Sequence, residues 1–126
     1  MSTVLLVDDN DEVREVLWMW AERLGFEVVG EARNGREAID SAARLHPDVI
    51  ILDQEMPEMT GIEALPRLRR RVPDSLIVFY CSGDPKLQEE AMRLGAVAYL
   101  TKRDSPKTVM NSVADLVGTA GSGVRS

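Results

Sequence analysis

The segment Asp48–Gly61, with the sequence DVIILDQEMPEMTG, decides the fold of this 126-residue chain. Its apolar run Val49–Leu52 has the pattern of a strand buried on both faces, as in the middle of a parallel sheet. Asp53 follows this run directly and is therefore expected at the carboxyl edge, where such sheets place their functional groups. Taken alone, Asp53 can also be read as a cap of the following turn. The choice depends on which other side chains reach the same edge.

The composition limits the class of protein. A chain of 126 residues has room for one domain with a core but not for two ordinary ones. No apolar run approaches the roughly 20 residues that span a bilayer, and the first residues lack an export signal, so we expect a cytoplasmic protein without membrane contact. The formal charge of −6 argues against direct binding of nucleic acid, whose phosphates require a surplus of Lys and Arg.

The single cysteine and the single histidine offer no reactive site. Cys81 lies in an apolar run, so we interpret it as a small buried hydrophobic residue. His46 has no second ligand at a metal-binding spacing. The chemistry of the chain therefore depends on carboxylates, hydroxyls and amines.

Strand-like and helix-like patterns alternate five times along the chain. The predicted strands cover residues 4–7, 27–30, 49–52, 76–80 and 96–100, and a helical pattern follows each of them. This alternation predicts an α/β domain with a parallel sheet covered by helices on both faces. We place the domain at residues 1–117, and the Gly- and Ser-containing residues 118–126 are predicted to be a flexible tail or the start of a linker.

The first and third helices carry the least regular patterns. In the first helix six residues are predicted to share the buried face, and Trp18 and Met19 lie beside it, as flank packing, which we favour, or as a partner surface. The six are Val13, Val16, Leu17, Trp20, Ala21 and Leu24. In the third helix Pro66 predicts a late start or a kink. The arginines of that helix are predicted to point largely outward: Arg67, Arg69, Arg70 and Arg71.

Polar residues follow four of the five predicted strands. Asp8 and Asp9 follow the first, Asp53 the third, Ser82 the fourth and Lys102 the fifth. The carboxyl ends of parallel strands share one edge, so these side chains should meet in space. Two carboxylates about 6 Å apart repel by roughly 2–3 kcal/mol at an effective dielectric constant of about 20, and a cation is therefore expected. An all-oxygen ligand set favours Mg²⁺, or Mn²⁺ in its place.

The same cluster suits phosphoryl transfer. The Ser82 hydroxyl and the Lys102 ammonium group are both suited to binding phosphoryl oxygens. The cluster contains no histidine to act as a general base on a second substrate. The simplest chemistry is therefore transfer of a phosphoryl group onto Asp53 itself.

Four motifs in the chain resemble those of response-regulator receiver domains of two-component signalling, over residues 4 to about 117. They are VDD at Val7–Asp9, D-x-x-M-P-x-x-x-G at Asp53–Gly61, Ser82 followed by a glycine, and Y-x-x-K at Tyr99–Lys102. The resemblance implies a flavodoxin-like fold with strand order 2-1-3-4-5. It also implies a phosphorylation-dependent regulator rather than an enzyme.

The resemblance also assigns roles at the site. Asp53 would accept a phosphoryl group from a phosphohistidine on a sensor histidine kinase or a histidine phosphotransfer protein. Mg²⁺ would be bound by Asp8, Asp9 and Asp53 together with the backbone carbonyl of Glu55. Lys102 would pair with a phosphoryl oxygen.

The readout of phosphorylation is implied in the same way. Ser82 would bind the phosphoryl group, and Tyr99 would swing inward behind it. This movement would remodel the face formed by the fourth helix, the fifth strand and the fifth helix, with homodimerisation on activation left open.

Two further stretches bear on the type of regulator. The family usually has proline after the lysine, often with a cis bond, whereas Arg103 follows Lys102 here, so the geometry of that loop is open. The runs Val29–Gly35 and Lys102–Pro106 are similar to receivers of the nitrate-response type, which regulate transcription through a helix-turn-helix output domain. We favour a receiver from a longer regulator over a stand-alone one.

Two acidic residues flank the predicted site, Glu55 and Asp84. We hypothesise that they slow attack by small anionic phosphoryl donors and alter the lifetime of the phosphoryl group, because the acyl phosphate adds negative charge. The alternative is that they are solvated loop acids.

Three rival functions share the fold class. A flavodoxin-like electron carrier is disfavoured because Asp8 and Asp9 would repel a flavin phosphate. An aspartate-nucleophile phosphatase would need a D-x-D pair after the first strand. A receiver fold that acts only as a binding module, without phosphorylation, stays open.

Overall fold

A five-stranded parallel sheet in the order β2-β1-β3-β4-β5 organises the computed structural model, which confirms the predicted fold. The backbone is described for residues 1–125 and the side chains for residues 1–118. The strands are β1 (Thr3–Val7), β2 (Glu27–Ala32), β3 (Val49–Asp53), β4 (Leu76–Cys81) and β5 (Ala98–Thr101). The helices are α1 (Asp11–Arg23), α2 (Gly35–Leu45), α3 (Gly61–Arg71), α4 (Pro85–Arg93) and α5 (Pro106–Arg125).

Strand β3 lies at the centre of the sheet, and all five of its residues are buried. Alternate side chains point to opposite faces, so Ile50 and Leu52 join one core cluster while Val49 and Ile51 join the other. The first cluster packs under α2, α3 and α4, and the second packs under α1 and α5. Burial on both faces explains the continuous apolar run in the sequence.

The register of β1 and β3 sets the position of the functional edge. Val7 pairs with Leu52, so Asp8 and Asp53 follow at the same level. Asp53 itself pairs with Tyr80 on the other side of β3. Asp53, the last residue of the central strand, therefore lies between the ends of β1 and β4.

Helix α1 turns inward most of the apolar face that its pattern predicted, and Val13 and Trp20 pack against the second core cluster. Leu17 and Ala21 are buried, but Val16 and Leu24 are 37% and 38% exposed, so their predicted burial was wrong. The buried stripe instead begins at Arg14, one turn before Leu17. It takes this direction because α1 packs on the sheet and beside α5.

The two residues beside that face have different environments. Trp18 packs against the second core cluster, as the flank-packing interpretation expected. Met19 remains 40% exposed.

Helix α3 begins at Gly61, so the late start, one of the two alternatives predicted from Pro66, does not occur, and the kink stays a prediction. A capping box stabilises this first turn, because Thr60 accepts a hydrogen bond from the Glu63 N–H and Glu63 accepts one from the Thr60 N–H. The proline lies within the helix and removes one backbone donor. The hydrogen bonds of the cap and the burial of the inner helix face stabilise the helix by more than the missing backbone hydrogen bond costs.

Arg69 does not point outward, which corrects the prediction for this one arginine. Its guanidinium donates to the carbonyl oxygens of Gly95, Val72, Pro73 and Ser75 at 2.6–3.2 Å. It therefore ties the end of α3 to the loops before β4 and β5.

Several boundaries differ from the sequence pattern. Strand β2 continues to Ala32, and β5 begins at Ala98 because the Ala96 N–H bonds back to the last turn of α4. No cis peptide bond occurs among the described residues, so Lys102–Arg103 is trans.

The end of the chain bears on the predicted domain boundary. Helix α5 is described as far as Arg125. The side chains of residues 119–126 lie outside the described residues, so the flexible tail predicted for 118–126 stays a prediction. Among the described residues no helix is both long and apolar enough to cross a membrane.

Candidate functional site

Three carboxylates meet at the carboxyl edge of the sheet, as predicted. One oxygen from each of Asp8, Asp9 and Asp53 lies within 4.8 Å of the other two. Asp8 and Asp53 are 1% and 0% exposed, whereas Asp9 is exposed to solvent. Two of the three charges are thus held in the protein interior, where charge is costly without a partner.

Lys102 supplies part of the compensating charge. Its Nζ lies 2.7 Å from Asp53 Oδ1 and 3.9 Å from Asp8 Oδ2. Its backbone N–H donates to the Cys81 carbonyl oxygen at 2.8 Å, which fixes the start of the β5–α5 loop beside the end of β4. The ring of Tyr80 lies 5.6 Å from the same Nζ and adds a cation–π contact.

One lysine does not satisfy the cluster. Asp8 Oδ1 accepts a hydrogen bond from the Asn10 N–H at 2.9 Å, but Asp8 Oδ2 and Asp53 Oδ2 are buried and accept none from the described residues. Buried carboxylate oxygens are normally hydrogen-bonded or bound to a cation. The donor set contains only oxygen and carries three negative charges, which fits a hard divalent ion such as Mg²⁺.

The electrostatic cost of the cluster appears in its pKa values. Burial raises the pKa of Asp53 to about 6 despite the opposing effect of Lys102. Burial also raises the pKa of Asp8, against the opposing hydrogen bond from Asn10. Burial lowers the pKa of Lys102, but its pairing with Asp53 outweighs burial and the pKa is raised overall. The lysine therefore stays charged while the two buried acids resist ionisation.

The two predicted readout residues lie near this edge but outside the carboxylate cluster. Ser82 is the first residue after β4 and is exposed, and Tyr99 is a partly buried residue of β5. Neither side chain forms a hydrogen bond with Asp8, Asp9 or Asp53 in the described part of the chain. Tyr99 packs against the first core cluster.

Glu55 and Asp84 occupy different environments. Glu55 is exposed in the β3–α3 loop, and its charge contributes to the raised pKa of Lys102. Asp84 caps α4, since its Oδ1 accepts a hydrogen bond from the Lys86 N–H at 2.9 Å. Asp84 therefore has a structural role that the sequence interpretation did not include.

The loop after Asp53 is held by a residue that the sequence interpretation missed. The Gln54 N–H donates to the Tyr80 carbonyl oxygen, and the Gln54 carbonyl accepts from the Gly61 N–H at 3.1 Å. Its side-chain Oε1 accepts from the Ile62 N–H at 2.8 Å. Gln54 thus joins the end of β3 to the start of α3, and no sequence pattern marks an amide for this role.

Arg14 is a second missed residue. It is only 5% exposed, and its Nη1 donates to the Asp8 carbonyl oxygen at 2.6 Å. It also pairs with Glu31 at 3.1 Å and with Asp11. The guanidinium therefore holds the backbone of the acidic loop against α1 and β2. Its position one turn before Leu17, on the buried stripe, is the sequence signal that could have revealed it.

Comparison with known proteins gives a consistent result. The sequence matches the response regulator receiver domain family over residues 4–114. It is 36% identical to the chemotaxis protein CheY of Thermotoga maritima, over 87% of this chain and 92% of that protein. It is 40% identical to a protein-glutamate methylesterase/protein-glutamine glutaminase of Archaeoglobus fulgidus, over 88% of this chain and 32% of that protein.

A solved structure shows the same similarity in three dimensions. The response regulator domain of Thermotoga maritima CheB superposes with a TM-score of 0.80 at 33% identity, covering 95% of this chain and 92% of that one. This chain spans about a third of the Archaeoglobus fulgidus relative, and 54% of the Bacillus subtilis transcriptional regulatory protein YdfI. On the match over residues 4–114 and the shared fold, the chain belongs to the response regulator receiver domain family.

Proposed function

We propose that the chain is a signalling switch in which Asp53 accepts a phosphoryl group from a phosphohistidine. Family membership implies phosphorylation-dependent signalling and interaction with a histidine kinase or a phosphotransfer protein. The observation that carries the finer proposal is the state of Asp53. It is buried and paired with Lys102 through one oxygen, while its other oxygen has no hydrogen-bond partner among the described residues.

The free oxygen of Asp53 is suited to act as the nucleophile. It attacks the phosphorus atom, the P–N bond of the phosphohistidine breaks, and the imidazole leaves with the bonding electron pair. Lys102 is already in contact with Asp53, so its charge is in place for the oxygens of the transferred group. Asp53 gains negative charge in becoming an acyl phosphate, which the ammonium group offsets.

Mg²⁺ would be held by Asp8, Asp9 and Asp53, with the Glu55 carbonyl as a further proposed ligand. When bound, the ion supplies charge neutralisation for the transferred phosphoryl group. The buried Asp8 Oδ2, which accepts no hydrogen bond from the described residues, supports this assignment.

The readout is proposed to run through Ser82 and Tyr99 to the face formed by α4, β5 and α5. Ser82 is exposed and has no side-chain hydrogen bond to break within the described residues, so it is available to a phosphoryl oxygen. Tyr99 is only partly buried, so a movement inward would bury more of its ring. The change in partner affinity would then follow from a two-state equilibrium that one covalent group shifts.

Phosphoryl labelling tests this function directly. With acetyl phosphate and Mg²⁺, we expect the intact mass of the protein to increase by one phosphoryl group, and Asp53→Asn should abolish the increase. Asp115→Asn removes an exposed carboxylate on α5 and should label like the wild type. If the wild type shows no Mg²⁺-dependent labelling with acetyl phosphate or with a phosphorylated histidine donor, the binding-module alternative would replace the proposal.

The two flanking acids give a separate prediction. Glu55→Gln and Asp84→Asn are each expected to speed labelling by acetyl phosphate about two- to fivefold, because a like charge near the site repels the anionic donor. Asparagine is also a good N-cap, so the second variant should keep the cap of α4. Initial labelling rates at low and high salt provide the measurement. Unchanged rates in both variants would show that these residues are only solvated acids.

A further inference from the structure

A basic groove lies between α2 and α3, on the side of the sheet away from α1 and α5. It encloses about 470 Å³. Four arginines line it: Arg36, Arg67, Arg70 and Arg71. This concentration of positive charge is unexpected in a chain with a formal charge of −6.

The four groove arginines differ in their contacts from Arg14 and Arg69. Arg14 and Arg69 are held by carboxylates or by backbone carbonyls. None of the groove arginines forms an ion pair or a side-chain hydrogen bond within the part of the chain that the structure describes. Asp40 is the one acid that lines the groove with them among the side chains that the structure describes. Glu63 also feels the charge of Arg67, but four guanidinium groups against these two carboxylates still leave a surplus of positive charge that a bound anion would neutralise.

The apolar lining of the groove narrows the kind of anion. Ile39 and Met59 lie among the arginines, and both are partly buried. A groove in which aliphatic side chains lie among positively charged ones fits a ligand that alternates carboxylates with apolar groups. Methionine adapts to varied apolar shapes, which suits a protein segment. The lining residues within 1–118, whose side chains are described, include no aromatic ring on which a nucleic-acid base could stack.

We propose that this groove binds an acidic segment of a partner protein, with carboxylates on the arginines and apolar side chains on Ile39 and Met59. Guanidinium groups bind carboxylates through two parallel hydrogen bonds, which gives geometric specificity as well as charge attraction. The lining residues that the structure describes do not include Asp8, Asp9, Asp53 or Lys102, so this proposal does not rest on the phosphorylation proposed above.

The test uses a defined probe, a fluorescein-labelled peptide with Glu on one helical face and Leu on the other. Its binding to the unphosphorylated chain, in buffer without Mg²⁺ or a phosphoryl donor, is followed by fluorescence anisotropy. We expect saturable binding that weakens with salt. Arg67→Gln/Arg71→Gln should weaken it about tenfold, a loss of roughly 1.4 kcal/mol.

Matched controls distinguish binding of the peptide in the groove from its nonspecific attraction to positive charge on the protein. Arg23→Gln/Arg93→Gln removes two exposed arginines elsewhere and should change the affinity by less than about twofold, in accordance with the small effect of remote screened charges. A peptide with Ser in place of Leu should bind more weakly. Thermal unfolding of each variant shows whether it is folded.

Three results would overturn the proposal. The first is binding that does not saturate or that falls equally in both double variants. The second is equal affinity for the Leu and Ser peptides. The third is tighter binding of a single-stranded oligonucleotide through the same arginines, which would assign the groove to nucleic acid.

Discussion

Replacing Gly61 with alanine is expected to lower the free energy of unfolding by about 2–3 kcal/mol, because the new methyl group has no space. A Cβ at this position would lie 2.3 Å from the carbonyl oxygen of Asp53 and 3.0 Å from Cε1 of Phe79. Asp53 ends the central strand and Phe79 is fully buried, so neither neighbour can move cheaply. Urea denaturation followed by circular dichroism measures the loss.

The same substitution should slow phosphoryl labelling. The Gly61 N–H donates to the Gln54 carbonyl oxygen, so a shift of the start of α3 would displace Gln54, the residue that follows Asp53. Displacing a reacting group by even about 1 Å can reduce a rate a hundredfold. Initial labelling rates at saturating Mg²⁺, under conditions in which the variant is folded, separate this effect from the loss of stability.

Gly118→Ala is the matched control for Gly61→Ala. No neighbouring atom of the described residues lies within 4 Å of a Cβ added at Gly118, which is in α5. Alanine is favoured over glycine inside a helix by about 0.5–1 kcal/mol, so this variant should be more stable than the wild type and label normally.

If Gly61→Ala proves as stable as the wild type, the close approach of α3 to Asp53 does not constrain the site.

The sheet could be predicted because burial on both faces leaves a strong mark on the sequence. The runs Val4–Val7, Val49–Leu52 and Leu76–Tyr80 are continuously apolar since each residue meets a helix layer on one face or the other. The weaker edge strands were placed less accurately. Strand β5 begins at Ala98 rather than Ala96 because the last turn of α4 takes the Ala96 N–H.

The core of the site could also be predicted, since it follows from topology alone. Parallel strands end at one edge, so Asp8, Asp53 and Lys102 had to meet once their strands were identified. In the structure the Lys102 Nζ lies 2.7 Å from Asp53 Oδ1 and 3.9 Å from Asp8 Oδ2.

The supporting contacts could not be predicted in the same way. Arg14, Gln54 and Arg69 all bind backbone carbonyl or amide groups. Such partners carry no side-chain signature, and they come into reach only after helices and loops have packed. Periodicity assigns a charged residue to solvent by default, which explains the error at Arg69 and the omission of Arg14.

The Asp53→Asn variant should be more stable than the wild type at neutral pH when no divalent ion is present. The folded state raises the pKa of Asp53 from its ordinary value of 3.8 to about 6. Between these two values the folded protein holds a proton that the unfolded chain has released. The free energy of unfolding therefore falls as pH rises through this window, and the full loss remains above pH 6.

The expected size of this loss is about 3 kcal/mol, from the difference between the two pKa values. Asparagine does not ionise, so the free energy of unfolding of Asp53→Asn should exceed that of the wild type by up to this amount at pH 7.5 in EDTA. Near pH 4 the two proteins should differ little. Urea denaturation across pH 4–8 measures the difference, with Asp115→Asn as the control for removal of an exposed carboxylate. Mg²⁺ should narrow the gap at pH 7.5, because it binds the folded wild type more tightly than the variant.

The pH dependence of the stability difference between Asp53→Asn and the wild type, rather than its size, shows whether the buried charge causes it. A gain that stayed constant from pH 4 to pH 8 would come from packing, and the buried charge would then have no part in it. A gain that grows between pH 4 and pH 6 and shrinks with Mg²⁺ means that the resting domain keeps an ionised carboxylate at the expense of its own stability. That destabilised carboxylate, with Asp53 Oδ2 free of hydrogen bonds from the described residues, is the same group that binding of a cation and a phosphoryl group would satisfy.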